Sequence, residues 1–144
     1  MTVCYFASPL FTDAERMWNA HTAAALRAGL PDMQVLLPQE FCAAHDQGDA
    51  TDGPDYAAIF ADCVGHLDRA NVVVAVLDGA DPDSGTCWEA GYAYAKGIPV
   101  IGLRTDWRPA EDGTANCMLT RSCHAVVSDT DGLITALQAV MAEA

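Results

Sequence analysis

The sequence predicts an α/β fold: one doubly wound parallel sheet of about five strands with helices on both faces. Three observations carry that prediction. Short β-rich runs alternate with helix-patterned segments along the whole chain. One run, NVVVAVLDG from Asn71 to Gly79, is continuously apolar and rich in β-branched residues, as in a strand buried on both faces. Repeats and linkers are absent, and 144 residues suit one sizeable core, so residues 1–144 read as a single domain.

The first strand is TVCYFA, Thr2 to Ala7, which ends at SPLFTD. Ala14, Met17, Trp18, Ala24, Ala25 and Leu26 then fit a helix from Asp13 to Gly29, capped by Thr12 or Asp13 and stopped at Gly29. Met33 to Pro38 forms the second strand. A segment rich in Gly, Asp and Gln, Glu40 to Pro54, reads as a loop of a length that accompanies function or mobility. From Asp55 to Ala70 a helix sets Tyr56, Ile59, Phe60, Cys63 and Leu67 on one face. Past the third strand, a helix runs from Gly85 to Lys96 and stops at Gly97. IPVIGLR is the fourth strand, HAVVSD the fifth, and Asp131 to Glu143 a closing amphipathic helix. The sum is a flavodoxin-like arrangement.

Composition narrows the partners. A net charge of −13, from seven basic and twenty acidic side chains, argues against a nucleic-acid polymer, which needs a cationic surface. Solubility or adaptation to salt accounts for such acidity, which also disfavours strongly anionic substrates. No apolar stretch approaches the roughly 20 residues of a membrane span. MTVCYFASPLF carries neither a basic region nor a leader pattern, so the expected compartment is the cytoplasm. Six scattered cysteines without a CxxC pair read as buried thiols. No metal site is expected: His66 follows Asp62 by four residues, but no third ligand is evident, and His21, His45 and His124 form no constellation.

Open parallel sheets hold ligands outside the carboxyl ends of their strands. Those ends are SPLFTD, PQEF, LDGADPDSG, RTDWR and SDTD, and the third is the richest. It carries Asp81 and Asp83, with Glu89 within about a turn and a half of a helix start at Asp83 or Ser84. Acidic residues there are ordinarily explained by the helix macrodipole. The neighbours add to that explanation. Gly85, Ala90, Gly91, Ala93 and Ala95 keep the helix slim, while Trp88 and Tyr92 supply apolar surroundings. A carboxylate held ionised by a helix N-terminus in a partly apolar pocket suits attack on an electrophilic carbon. Sugar C1 is the obvious one, because its oxocarbenium-like transition state is stabilised by a nearby anion.

The stretches YFASPLFTDAE, LPQEF, DPDSGTCWEAGYAYAKGIPVIGLRTDWR and NCML together resemble the nucleoside 2-deoxyribosyltransferases along nearly the whole chain. The resemblance implies exchange of the base of a 2′-deoxynucleoside through a covalent deoxyribosyl ester, with the nucleobase and the deoxynucleoside as partners. It implies no metal or organic cofactor. It matches the nucleophile to Glu89, a sugar-contacting aspartate to Asp83, and a tyrosine beside the nucleophile to Tyr5. Asp62, with a register uncertainty of about one residue, matches an aspartate that assists proton transfer to the base. Gln39 resembles a base-contacting amide, Phe11 a base-stacking aromatic, and Gly85 falls among the substrate-binding positions. Asn116 resembles an asparagine that reaches the sugar from a neighbouring subunit, which implies a homo-oligomer.

Each of these residues also has an ordinary structural reading. Tyr5 and Phe11 fit a core, Asp62 a solvated face shared with Asp68 and Arg69, and Gln39 and Asn116 loop amides bonded to local backbone. Three other functions stay open. A 2′-deoxynucleotide N-hydrolase shares the Glu helix but carries a basic turn after strand one, where this chain has SPLFTD; Arg104 is the residue that would reach a phosphate. A cytokinin-releasing phosphoribohydrolase uses a PGGxGTxxE loop, whose glycine pair DSGTCWE lacks. A receiver module has an aspartate at the end of strand three, where Asp78 stands, but its other acidic and basic residues are missing here.

Overall fold

The computed structural model describes residues 1–46 and 53–143. Its sheet has five parallel strands in the order β2-β1-β3-β4-β5. They are β1 (Thr2–Ala7), β2 (Met33–Leu36), β3 (Val72–Val76), β4 (Val100–Leu103) and β5 (Ala125–Val127). The helices are α1 (Asp13–Gly29), α2 (Pro38–Phe41), α3 (Ala43–Asp46), α4 (Tyr56–Leu67), α5 (Ser84–Ala95), α6 (Cys117–Ser122) and α7 (Thr130–Glu143). The chain leaves β1 toward β2 on one side and returns to β3 on the other, so the strand order reverses between β1 and β3. Such a reversal opens a crevice at the carboxyl ends of the two strands.

Side chains alternate across each strand and divide the core in two. Cys4 and Phe6 join Leu26, Leu103, Leu133 and Leu137 beneath α1 and α7. Tyr5 and Ala7 join Leu67, Val73, Leu77, Ala90 and Ala93 on the opposite face. β3 is buried at every position, as its unbroken apolar run requires. Each fully buried Leu or Phe side chain contributes on the order of 2 kcal/mol. Ala90 and Ala93 bring α5 close against β1 and β3.

Local signals explain most boundaries. Thr12 and Glu15 form a reciprocal capping box at the start of α1. Asp55 caps α4 through the Ala58 amide, and Asp83 caps α5 through the Thr86 amide. The segment after β2 departs from the loop expected over Glu40 to Pro54: α2 and α3 occupy its beginning. Pro38 explains the first of these turns, since its fixed φ and missing N–H suit the first position of a helix. Residues 47–52 of that predicted loop lie outside the described residues. A further short helix, α6, follows Asn116, whose side chain caps it by accepting from the Met118 amide.

Candidate functional site

β1 carries Tyr5 into the core beneath α5, where no part of the side chain reaches solvent. Its phenol crosses to α5 and donates to Glu89 Oε1 at 2.5 Å. Asp83 begins the same helix, accepting from the Thr86 amide at 2.9 Å and the Thr86 hydroxyl at 3.2 Å, both on Oδ2. Gly85, Thr86 and Glu89 share one helical face by their spacing. All three border a cavity of about 590 Å³ at the β1–β3 crevice, together with Asp83, Ser8 and Phe11. Gly85 is placed where size matters, because a Cβ there would lie 3.1 Å from Asp83 Oδ2.

The electrostatics differ from the sequence expectation of a carboxylate held ionised by its helix. Burial pushes the Glu89 carboxyl up to about 7, the Tyr5 hydrogen bond pulls it down, and the Asp83 charge pushes it up. Glu89 lies six residues beyond the Asp83 cap, past the turn in which the macrodipole acts strongly. Tyr5 is the complementary partner. Burial first, then the Glu89 charge, raise its phenol far above the ordinary value, so it serves as a neutral hydrogen-bond donor. The Cys63 thiol neighbours the same phenol, and its Sγ lies 3.8 Å from Cys42 Sγ.

The structure therefore brings Glu89, Tyr5, Asp83, Gly85, Gln39 and Phe11 to one place. Phe11 is 71% exposed at the cavity rather than in the core. Gln39 sits in α2 with an anchored amide: Oε1 accepts from Asn19 at 3.1 Å and Nε2 donates to the Arg16 carbonyl at 3.0 Å. Three predicted residues fall outside the cavity lining: Tyr5, which meets it through Glu89, and Asp62 and Asn116. Asp62 faces His45, with Oδ2 and Nε2 2.8 Å apart, while Cys63, one position on, borders the cavity. Asn116 is used within its own chain, capping α6 and donating to Glu111 at 2.7 Å.

Sequence reasoning missed Cys63, Ile59 and Tyr56 as cavity residues. Their helical stripe was legible, but a stripe facing a cavity looks the same in sequence as one facing a core. Trp88 and Tyr92 show the converse. They stack on each other at 5.2 Å, with Phe60 edge-on to Trp88 at 5.6 Å, outside the cavity lining. The apolar part of the cavity that Glu89 borders includes instead Pro38, Pro54 and Ile59.

The cations near these strand ends are already engaged. Arg104, read as a residue that would reach a phosphate, is buried and donates to the carbonyls of Leu77, Gly79 and Arg108. Arg16 borders the cavity, yet its guanidinium donates to the Leu10 and Phe11 carbonyls and to Asp13. Asp78 is likewise occupied, accepting from the Thr105 amide and hydroxyl at 2.6 Å and the Asp106 amide at 2.8 Å. Among the described residues, no group of three or more His, Cys, Asp or Glu could hold a metal ion. No helix among them is long and apolar enough to cross a membrane.

What fold and site define together is a flavodoxin-like α/β protein with a tyrosine-bound glutamate at the switch point of its sheet. The family follows from comparison with known proteins. Residues 4–137 match the model described as nucleoside 2-deoxyribosyltransferase, and the chain belongs to that family. It is similar to a conserved protein from Enterococcus faecalis V583 of known structure, at 29% identity and a TM-score of 0.81, over 94% of this chain and 96% of that one. It shares its fold with a 2-deoxyribosyltransferase from Bacillus psychrosaccharolyticus, at 24% identity, TM-score 0.75, and 92% and 90% coverage. The same fold recurs in a 2-deoxyribosyltransferase from Leishmania mexicana, at 21% identity, TM-score 0.70, and 94% and 96% coverage. A search of curated proteins finds no match.

Proposed function

We propose that this chain, acting as a single domain, exchanges the base of 2′-deoxynucleosides by double displacement through a covalent deoxyribosyl ester on Glu89. The observation that carries the reading is the Tyr5–Glu89 hydrogen bond at 2.5 Å beside a cavity of about 590 Å³, within the size range of small-molecule sites.

In the first half-reaction the ionised Glu89 attacks C1′ through Oε2, the oxygen that Tyr5 leaves unbonded. The C1′–N bond breaks, its electron pair goes to the departing base, and an ester joins C1′ to Glu89. In the second, a nitrogen of the incoming base attacks C1′ and the ester bond breaks, returning the carboxylate to Tyr5. Because the phenol keeps its own proton, it donates a hydrogen bond to the carboxylate in both half-reactions without protonating it. Asp83 Oδ1, clear of the two bonds on Oδ2, accepts from a sugar hydroxyl and holds C1′ in line. Phe11 stacks on the base, and Gln39 offers it the N–H and lone pair that Asn19 and Arg16 leave unused.

In this reading Asp62, held by His45 one position before the cavity-lining Cys63, gives the departing base its proton and takes one back from the incoming base. Asn116 completes the sugar site of a neighbouring copy in a homo-oligomer. The carboxylate does the covalent work, so no metal or organic cofactor enters, and the compartment is the cytoplasm. A neutral nucleoside is favoured over a nucleotide because the Arg16 guanidinium is spent on Asp13 and two carbonyls.

The test is base exchange with purified protein, deoxyinosine and free adenine, followed by chromatography. Deoxyadenosine and hypoxanthine should appear together, with only slow release of hypoxanthine when adenine is omitted. Hypoxanthine without exchange, or activity confined to deoxynucleoside monophosphates, would transfer the protein to the hydrolases.

A further inference from the structure

Ser8 directly follows β1 and borders the same cavity as Asp83 and Glu89, yet no sequence signal drew attention to it. The residue is 7% exposed, and its hydroxyl has no hydrogen-bond partner among the described residues. Its surroundings are otherwise satisfied. The next carbonyl, that of Pro9, accepts from the buried Asn19 at 2.8 Å, and Asn19 also holds Gln39.

A buried hydroxyl without a partner forfeits the hydrogen bonds it makes in water, and native proteins seldom leave one so. Among the described residues, two other buried side-chain atoms share that condition, Thr22 Oγ1 and Arg104 Nε, but neither residue borders this cavity. A ligand seated in the cavity would supply what the fold does not. A serine hydroxyl both donates and accepts, whereas the Asp83 carboxylate only accepts. Deoxyribose has two hydroxyls, so one can donate to Asp83 while the other both donates to and accepts from a group such as Ser8.

We infer that Ser8 Oγ hydrogen-bonds the deoxyribose hydroxyl that Asp83 does not take, which makes it a sugar-specificity residue. The inference rests on the base-exchange reading and extends it from the reacting carbon to the recognition of the pentose. Ser8 adds nothing to folding on this account, since its hydroxyl has no partner among the described residues to lose.

The experiment compares wild type with Ser8→Ala in exchange with free hypoxanthine, using 2′-deoxyadenosine, 2′,3′-dideoxyadenosine and 2′,5′-dideoxyadenosine as donors. Melting temperature is measured alongside. Ser8→Ala should keep the wild-type melting temperature and lose about 3- to 30-fold in kcat/KM on 2′-deoxyadenosine. On one dideoxy donor, the one lacking the hydroxyl that Ser8 reads, the variant should equal wild type. An equal fall on all three donors, or none on any, would overturn the inference while leaving base exchange intact. A wild-type protein inactive on every donor would remove the base-exchange reading and this one with it.

Discussion

Two groups of carboxylates stand at the same edge of this sheet, and they are treated in opposite ways. Beyond β3 and β4, Asp78 and Asp106 are saturated with donors: Asp78 takes two amides and a hydroxyl, and Asp106 takes Arg108 and the Gly79 amide. Hydrogen bonds from the Arg108 side chain hold the Asp106 carboxyl far below its usual range. Between β1 and α5, Glu89 has one donor among the described residues, is pushed up to about 7 by burial, and faces a second carboxylate, Asp83. The first group fastens loops together. The second keeps its charge at a cost, and a carboxylate with spare lone pairs beside a cavity is one that has chemistry left to do.

The largest effect expected from that contrast is on catalysis. Glu89→Ala should lower exchange by a factor on the order of 10³ or more and should give no covalent adduct in mass spectrometry of protein quenched with deoxyadenosine, where the proposed mechanism expects one in wild type. An Asp106→Asn variant should keep both. Equal losses in the two variants would erase the distinction between the groups.

Next in size is the role of Tyr5. The kcat/KM of exchange should rise with pH as Glu89 ionises, with its midpoint near 7. Tyr5→Phe removes the one interaction that pulls the Glu89 carboxyl down, so the midpoint should move to higher pH, with about 10- to 100-fold lost at neutrality. A slower variant with an unmoved midpoint would mean that the phenol only packs.

Stability should separate the groups by the direction of their pH dependence. Glu89 has a raised folded-state pKa, so its contribution is fully present below about 4.5 and is lost as pH rises through about 7. Glu89→Gln should match wild type near pH 4 and exceed it at pH 8 by about 3 kcal/mol in urea unfolding. Asp106 has a depressed one: its contribution is present above the ordinary aspartate range and is lost as pH falls through the lower folded value. Asp106→Asn should therefore be less stable than wild type at neutral pH and converge with it in acid. Profiles of the same sign would show that Glu89 is merely another satisfied carboxylate.

The same contrast explains what was legible in the sequence. The five strands and their parallel order could be read because alternation and a fully apolar β3 are one-dimensional signals. Glu89 and Asp83 could be read because they lie together in one block after that strand. The pairing of Tyr5 with Glu89 spans 84 residues and came only through the resemblance. Asp62 shows the limit: its spacing is right, but which side of α4 meets the cavity depends on how the helix is rolled, and here Cys63 takes that side. Ser8 gave no signal at all, because an unsatisfied hydroxyl is defined by what fails to surround it in space.

The smallest effect belongs to Asp81, the acidic neighbour that sequence alone places beside the site. Its side chain is exposed and makes no hydrogen bond or ion pair with any described residue. What matters at this position is backbone: Gly79 turns with φ 101°, and a Cβ on it would lie 3.2 Å from the Asp81 carbonyl oxygen. Asp81→Ala keeps that carbonyl and removes only a solvated charge, so kcat/KM should stay within about twofold of wild type. A dead Asp81→Ala beside an active Asp83→Asn would mean that the sugar is held two residues earlier than the geometry of α5 implies. Asparagine at position 83 retains a helix-capping oxygen, so that pair of variants compares charge at the two positions without unwinding the helix that carries Glu89.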